Sequence, residues 1–240
     1  MPSPPQVLSI QVGRTQQFDS PDDAGDGSAK LWESAINKEP VVGPVFISTE
    51  YIEGDQQADL VHHGGPDKAV CAYPSEHYEY WSETYCDIQW GAGYFGENLT
   101  LAGLLEPDVC IGDTFEVGEC VLQVSQPRQP CWKLSRRWKL PKLAVHVQRT
   151  RLTGWYFRVL QPGVIEVGQA MRMIDRLDPK WTISAANEIM FAKPRDATRD
   201  QELAACPVLS QSWRETLLRR AAESSDSVPI GRHSIARRPG

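Results

Sequence analysis

A chain of 240 residues with 41% hydrophobic side chains, eight Trp among them, is long enough for one large domain, or a medium and a small one, around a substantial core. Its net charge of −6 argues against a general polyanion binder such as a nucleic-acid protein, and the lack of any long apolar run excludes a helical membrane span. Eighteen Gly and eighteen Pro argue for many turns and against an all-helical fold.

In chain order, residues 7–12 read as an opening strand. Residues 15–29 are polar and glycine-containing and read as a mobile loop. Residues 41–48 are strand-like, 54–67 are a polar loop, and 69–73 form a buried strand. Ser75 offers a cap for a short aromatic helix over residues 76–84, where Tyr78, Trp81 and Tyr85 recur at helical spacing. Residues 114–117 and 120–124 flank Gly118-Glu119 as a hairpin, and residues 155–160 and 164–173 flank Gln161-Pro162-Gly163 as a second. Many short strands imply a mainly β barrel or sandwich. The character changes after Asp178-Pro179. Residues 183–190, 199–205 and 213–222 read as three short helices, with Ser184 and Ser212 as caps. The expected organisation is therefore a β domain over 1–178, a three-helix domain over 179–223 and a disordered tail over 224–240.

The charge is unevenly placed. Residues 126–151 hold eight basic side chains (Arg128, Lys133, Arg136, Arg137, Lys139, Lys142, Arg149 and Arg151) and no acid, so the rest of the chain carries −14. A basic island in an acidic chain suits an anionic ligand, with a solvated basic face as the competing reading. Within it lies Ser125-Gln126-Pro127-Arg128-Gln129-Pro130-Cys131. Two prolines stiffen the approach, and Cys131 falls near a helix start among cations, a setting that favours thiolate. A soft thiolate is a natural ligand for a soft metal centre; a buried structural cysteine is the alternative. His63-Gly64-Gly65-Pro66-Asp67-Lys68 offers glycine amides as an anion nest, with His63 and Lys68 adding donors, or is an ordinary turn. In Phe95-Gly96-Glu97-Asn98, Asn98 suits the edge of a heterocycle and Glu97 could accept from ring N–H groups, or the segment is a polar turn. A zinc site from His62, His63 and His77 lacks metal-ligand spacing. Six scattered cysteines with no CxxC pair, and no visible secretory signal, imply reduced thiols and a cytoplasmic protein.

These segments resemble the MOSC (molybdenum cofactor sulfurase C-terminal) domain family, in particular its YiiM-like subgroup. The likeness rests on His63-Gly64-Gly65-Pro66-Asp67-Lys68-Ala69, Tyr73-Pro74-Ser75-Glu76-His77-Tyr78, Phe95-Gly96-Glu97-Asn98-Leu99 and the Ser125-to-Cys131 segment. Gly154-Trp155-Tyr156 and Leu160-Gln161-Pro162-Gly163 also fit, so it runs from about Val7 to Ser212. The resemblance implies a MOSC-type β-barrel followed by a small three-helix C-terminal domain, and a pterin-based molybdenum cofactor (molybdopterin) with Cys131 on the metal. Arg128, His63, Gly64, Gly65, Lys68, Glu97 and Asn98 would line its site. His62, the Gly25–Gly27 region and the basic tail depart from the family pattern.

The resemblance further implies reduction of a small N-hydroxylated substrate with electrons from a donor protein, since no ferredoxin-like cysteine cluster is present. His63 is the candidate proton donor, because imidazole titrates near neutrality. Two other readings stand beside this one: a non-catalytic cofactor or sulfur carrier using a Cys131 persulfide, and a regulatory protein that docks a partner through its helices.

Overall fold

The computed structural model describes residues 4–19, 31–59 and 64–226. Its centre is an eight-stranded sheet. β1 (Gln6–Val12) and β4 (Glu39–Pro40) form one end, followed by β7 (Leu99–Ala102), β6 (Val70–Pro74), β10 (Trp155–Gln161), β9 (Cys120–Pro127), β8 (Thr114–Val117) and β12 (Arg172–Asp175). All neighbours are antiparallel except β6 and β7. The sheet curls into a half-barrel that nearly closes. Val7 donates to the Gln169 carbonyl at 3.0 Å, Gly168 to Val7 at 2.8 Å and Met171 to Pro5 at 2.7 Å. Those bonds satisfy backbone groups that an open edge would expose.

Strand alternation sorts side chains onto two faces. Val70, Ala72, Trp155 and Phe157 enter the main core with Ile10, Leu99, Phe115 and Leu122. Tyr73 enters a second, aromatic cluster with Trp81, Trp90, Phe95 and Leu134. That cluster is roofed by α1 (His77–Thr84), α2 (Trp132–Trp138) and α3 (Leu143–Thr150).

Three helices follow: α4 (Ile183–Phe191), α5 (Ala197–Ala204) and α6 (Gln211–Asp226). They stand outside the sheet, but Ile183, Ile189, Leu203, Trp213 and Leu217 belong to the barrel's own core. The chain is thus a mostly β half-barrel followed by a small helical region. Among the described residues no helix is long and apolar enough to cross a membrane.

Several local expectations are corrected. Residues 16–19 are not loop: β2 (Gln16–Asp19) pairs with β3 (Leu31–Ser34). Residues 20–29, the rest of the expected mobile loop, lie outside the described residues, as do residues 227–240 of the expected tail; α6 already runs through Asp226. The second hairpin does not form. β11 (Gly163–Ile165) pairs with β5 (Val45–Ile47) rather than folding back on β10. Gly163 passes so close to Glu119 that a Cβ would meet its backbone at 2.8 Å. The expected caps also move. Ser75 bonds Glu76 rather than the α1 backbone. Thr182 caps α4 by accepting from Ala185 at 3.0 Å, and Ser210 accepts from Trp213 at 3.3 Å at the start of α6.

Candidate functional site

β9 delivers the Pro-rich segment to one end of the sheet. Two cavities meet there. An inner chamber of about 90 Å³ is lined by Lys38, Asp55, Cys71, Asn98 and Arg128, among others. An outer cleft of about 730 Å³ is lined by Trp32, Gln126, Trp132, Ser212 and Thr216, among others. The two share Asp59, Lys68, Gln129, Cys131, Lys133 and Tyr156. Cys131 therefore lies at their junction. It is half-buried, caps the backbone start of α2 in an extended conformation and makes no side-chain capping bond.

Arg128 is a buried cation of the inner chamber. Its Nη2 donates to the Phe95 carbonyl, while Nη1 is buried with no partner among the described residues. A guanidinium always carries its charge, and leaving one of its donors buried and unpaired is costly. An anionic ligand in the chamber would remove that cost. The Arg128 backbone is held by the Gly154 carbonyl at 3.1 Å, and Gly154 N donates to Glu106 at 2.8 Å. Gly154 sits at φ +66°, and a Cβ there would lie 2.2 Å from the Ala72 carbonyl oxygen. Only glycine fits this turn.

Lys68 follows Asp67 in a short 3-10 helix, Pro66–Lys68, and reaches both cavities. Burial lowers its pKa from the ordinary lysine value, and Asp67 and Asp59 partly restore it. Asp67 ties this turn to its surroundings. One carboxylate oxygen receives Nε and Nη2 of Arg158 at 2.9 and 2.7 Å, and the other receives the Gln211 amide at 3.0 Å. Cys71 and Tyr156 are cross-strand partners between β6 and β10, and both face the inner chamber. Burial pushes the Cys71 thiol up, with Arg128 opposing, and holds the Tyr156 phenol well above its usual range. Both are neutral near pH 7.

The expected site residues divide. Cys131, Arg128, Lys68 and Asn98 come together in the inner chamber. Asn98 is largely committed to structure: its Oδ1 accepts from Cys71 N at 3.1 Å, and Nδ2 donates to Asp55 at 2.9 Å. Glu97 is not a lining residue. Its carboxylate is fully buried and accepts from Gly93 N at 2.7 Å, Phe95 N at 3.0 Å and the Tyr78 hydroxyl at 2.6 Å, leaving nothing to offer a ligand. Gly64 and Gly65 do not line either cavity, so the expected nest beside Arg128 is not seen among the described residues; Lys68 takes that place. His62 and His63 lie outside the described residues, and His77 is buried against Glu106 at 2.8 Å.

Sequence reasoning missed Lys38, Asp55, Asp59, Gln129, Lys133 and Tyr156 as lining residues. Tyr156 was open to discovery, because Trp155 and Phe157 face the core and alternation turns the residue between them to the other side. Lys38 and Asp55 are an ion pair with side chains 8% and 4% exposed, and nothing local announces it.

Comparison with known proteins agrees with this architecture. Residues 59–172 match the MOSC domain, and residues 181–223 match the YiiM-like, 3-alpha helix domain. YflK of Bacillus subtilis is 42% identical over 89% of this chain and 93% of its own length. The chain belongs to the MOSC family, in its YiiM-like branch. The crystal structure of YiiM from Geobacillus stearothermophilus superposes with a TM-score of 0.75 at 40% identity, covering 91% of this chain and all of that one. A Gibberella moniliformis protein named reductase is 35% identical over 80% of this chain, which spans only 33% of that longer protein. MOSC domains are associated in general with molybdenum cofactor binding, so this YiiM-like chain carries a cofactor-related domain.

Proposed function

We propose that this YiiM-like protein is a molybdenum-dependent oxidoreductase that reduces small N-hydroxylated compounds, with electrons from a donor protein, in the reducing cytoplasm. The observation that carries the reading is Cys131 at the junction of two cavities, one holding a buried cation with an unpaired donor and the other large enough for a small molecule. The residues fit an anionic, metal-bearing group. Cys131 would hold the metal through sulfur, Arg128 would direct Nη1 at a phosphate oxygen, and Lys68 and Lys133 would balance further negative charge. When bound, the cofactor supplies a two-electron redox centre. Converting an N-hydroxy group to its amine takes two electrons and two protons and releases water. Lys68, placed in both cavities with its pKa lowered by burial, is the residue positioned to hold a proton at the junction. Tyr156, which lines both cavities, stays neutral. The relative named reductase supports a redox role.

The test is protein produced in a cofactor-competent host, assayed for molybdenum and for hydroxylamine reduction by an artificial electron donor. Cys131→Ser should lose both molybdenum and reduction while its melting temperature moves little, since the thiol is half-buried and outside the packed core. A folded Cys131→Ser protein with full activity and normal molybdenum would end the reading. A wild type that binds molybdenum yet reduces nothing would favour the carrier role.

A further inference from the structure

The helical region contributes to the outer cleft rather than merely following the barrel. α6 enters the outer cleft with Ser212 and Thr216, which stand four residues apart and so share one helical face. Trp213 and Leu217, next to them in sequence, are buried in the barrel core and prevent the helix from rolling. Its first turn is bolted to the elements that carry the site. Ser210 N donates to the Ser125 carbonyl at 3.0 Å, Gln211 N to Asp67 at 3.0 Å, and the Ser212 hydroxyl to Gln126 Oε1 at 3.2 Å. Ser125 and Gln126 lie on the strand that leads to Cys131; Asp67 precedes Lys68. The wall and the chemistry thus form one rigid unit.

Its chemical character is restricted. The Ser212 hydroxyl hydrogen is committed to Gln126, and that of Thr216 to the Ser212 carbonyl at 2.8 Å. Neither residue has a free donor for a ligand. What they bring to the cleft is small size. The cleft also contains Trp32 and Trp132, whose rings meet edge-on with centroids 5.5 Å apart, and Arg136 lies over the Trp132 ring at 4.6 Å. A stacked cation and an aromatic pair hold this part of the cleft in shape. The room left for a molecule reacting at Cys131 depends on the α6 side chains.

We propose that α6 is the size-selecting wall of the substrate chamber and that Thr216 sets the limit, admitting a small aryl N-hydroxy compound because the side chain at this position is short. This rests on the reading that Cys131 carries the metal and that the outer cleft receives substrate. A bulkier residue at 216 should exclude larger substrates while leaving small ones and the cofactor alone.

The experiment compares wild type, Thr216→Phe and Thr216→Ala as full-length, cofactor-loaded proteins. Three quantities are read: molybdenum per chain, kcat and KM for hydroxylamine and for benzamidoxime, and benzamidoxime binding by calorimetry with no reductant present. Thr216→Phe should raise KM and weaken calorimetric binding of benzamidoxime about tenfold or more, the scale on which a pocket rejects an ill-fitting group. Hydroxylamine kinetics should stay within about twofold, the melting temperature should hold, and molybdenum should be unchanged. Thr216→Ala should shift preference the other way. Equal loss on both substrates, or no change on either with both variants, would overturn the proposal. Molybdenum lost selectively from Thr216→Phe would also overturn it, by giving the wall to the cofactor. Wild type without molybdenum would instead defeat the functional reading, and the calorimetric comparison of the variants would still decide the wall.

Discussion

Asp67 offers a stringent test of how the helical region supports the site. It is a helix cap supplied from 144 residues away: its Oδ2 accepts from Gln211, the first residue of α6, while Oδ1 holds Arg158. Asp67→Ala removes both. A helix cap contributes about 1 kcal/mol, and a charge-assisted bond about 1.5–3 kcal/mol. Asp67 and Arg158 are 29% and 19% exposed at the side chain, so water recovers part of the loss. The expected cost is about 2–4 kcal/mol, which for a chain of this size lowers the melting temperature by about 4–15 °C. Asp67→Asn keeps an acceptor for Gln211 and loses the charge, so it should fall between. Hydrogen exchange locates the effect: amides in the first turn of α6 should lose protection in Asp67→Ala, and molybdenum retention should drop because Lys68 is no longer held. A variant melting within about 1 °C of wild type, or one that melts early while the first turn of α6 keeps its protection, would refute the coupling.

Gly154→Ala should cost at least about 2 kcal/mol, because the left-handed backbone and the 2.2 Å approach to Ala72 admit no Cβ; a chemical-denaturation midpoint equal to wild type would contradict this. Cofactor retention should depend on alkaline pH through Lys68. Burial lowers its folded-state pKa below 10.5, so the cost of charging it in the ligand-free protein is fully present below the lowered value and is relieved as pH rises towards 10.5. A bound anion needs the charged form, so molybdenum retention should weaken as pH rises through that window. Lys68→Arg, which stays charged, should flatten the curve; an identical curve in the variant would remove Lys68 from the site.

Much of this protein is legible in its amino-acid order. The barrel strands announce themselves through alternation and turn residues, and the helices through spacing, because both depend on local backbone geometry and on which side chains avoid water. The Pro-Arg-Gln-Pro-Cys segment stands out because proline stiffness, a cation and a thiol lie close in sequence, and Arg128 and Cys131 do share a chamber. Where neighbours in space are distant in sequence, local patterns mislead. The second hairpin is lost because β11 leaves β10 to pair with β5, a partner distant in sequence that the Gln161-Pro162-Gly163 turn does not announce. Glu97 resembles a ligand contact in type and motif, but three donors from its own loop and α1 close around the carboxylate. The Lys38–Asp55 pair and the Asp67 cap of α6 have no local signature at all. Composition and periodicity determine that this chain makes a curled sheet followed by three helices. Only tertiary packing, which brings α6 against Asp67 and β9, decides that this helix lines the cleft at Cys131, because a cavity is a property of surfaces that meet and not of any segment alone.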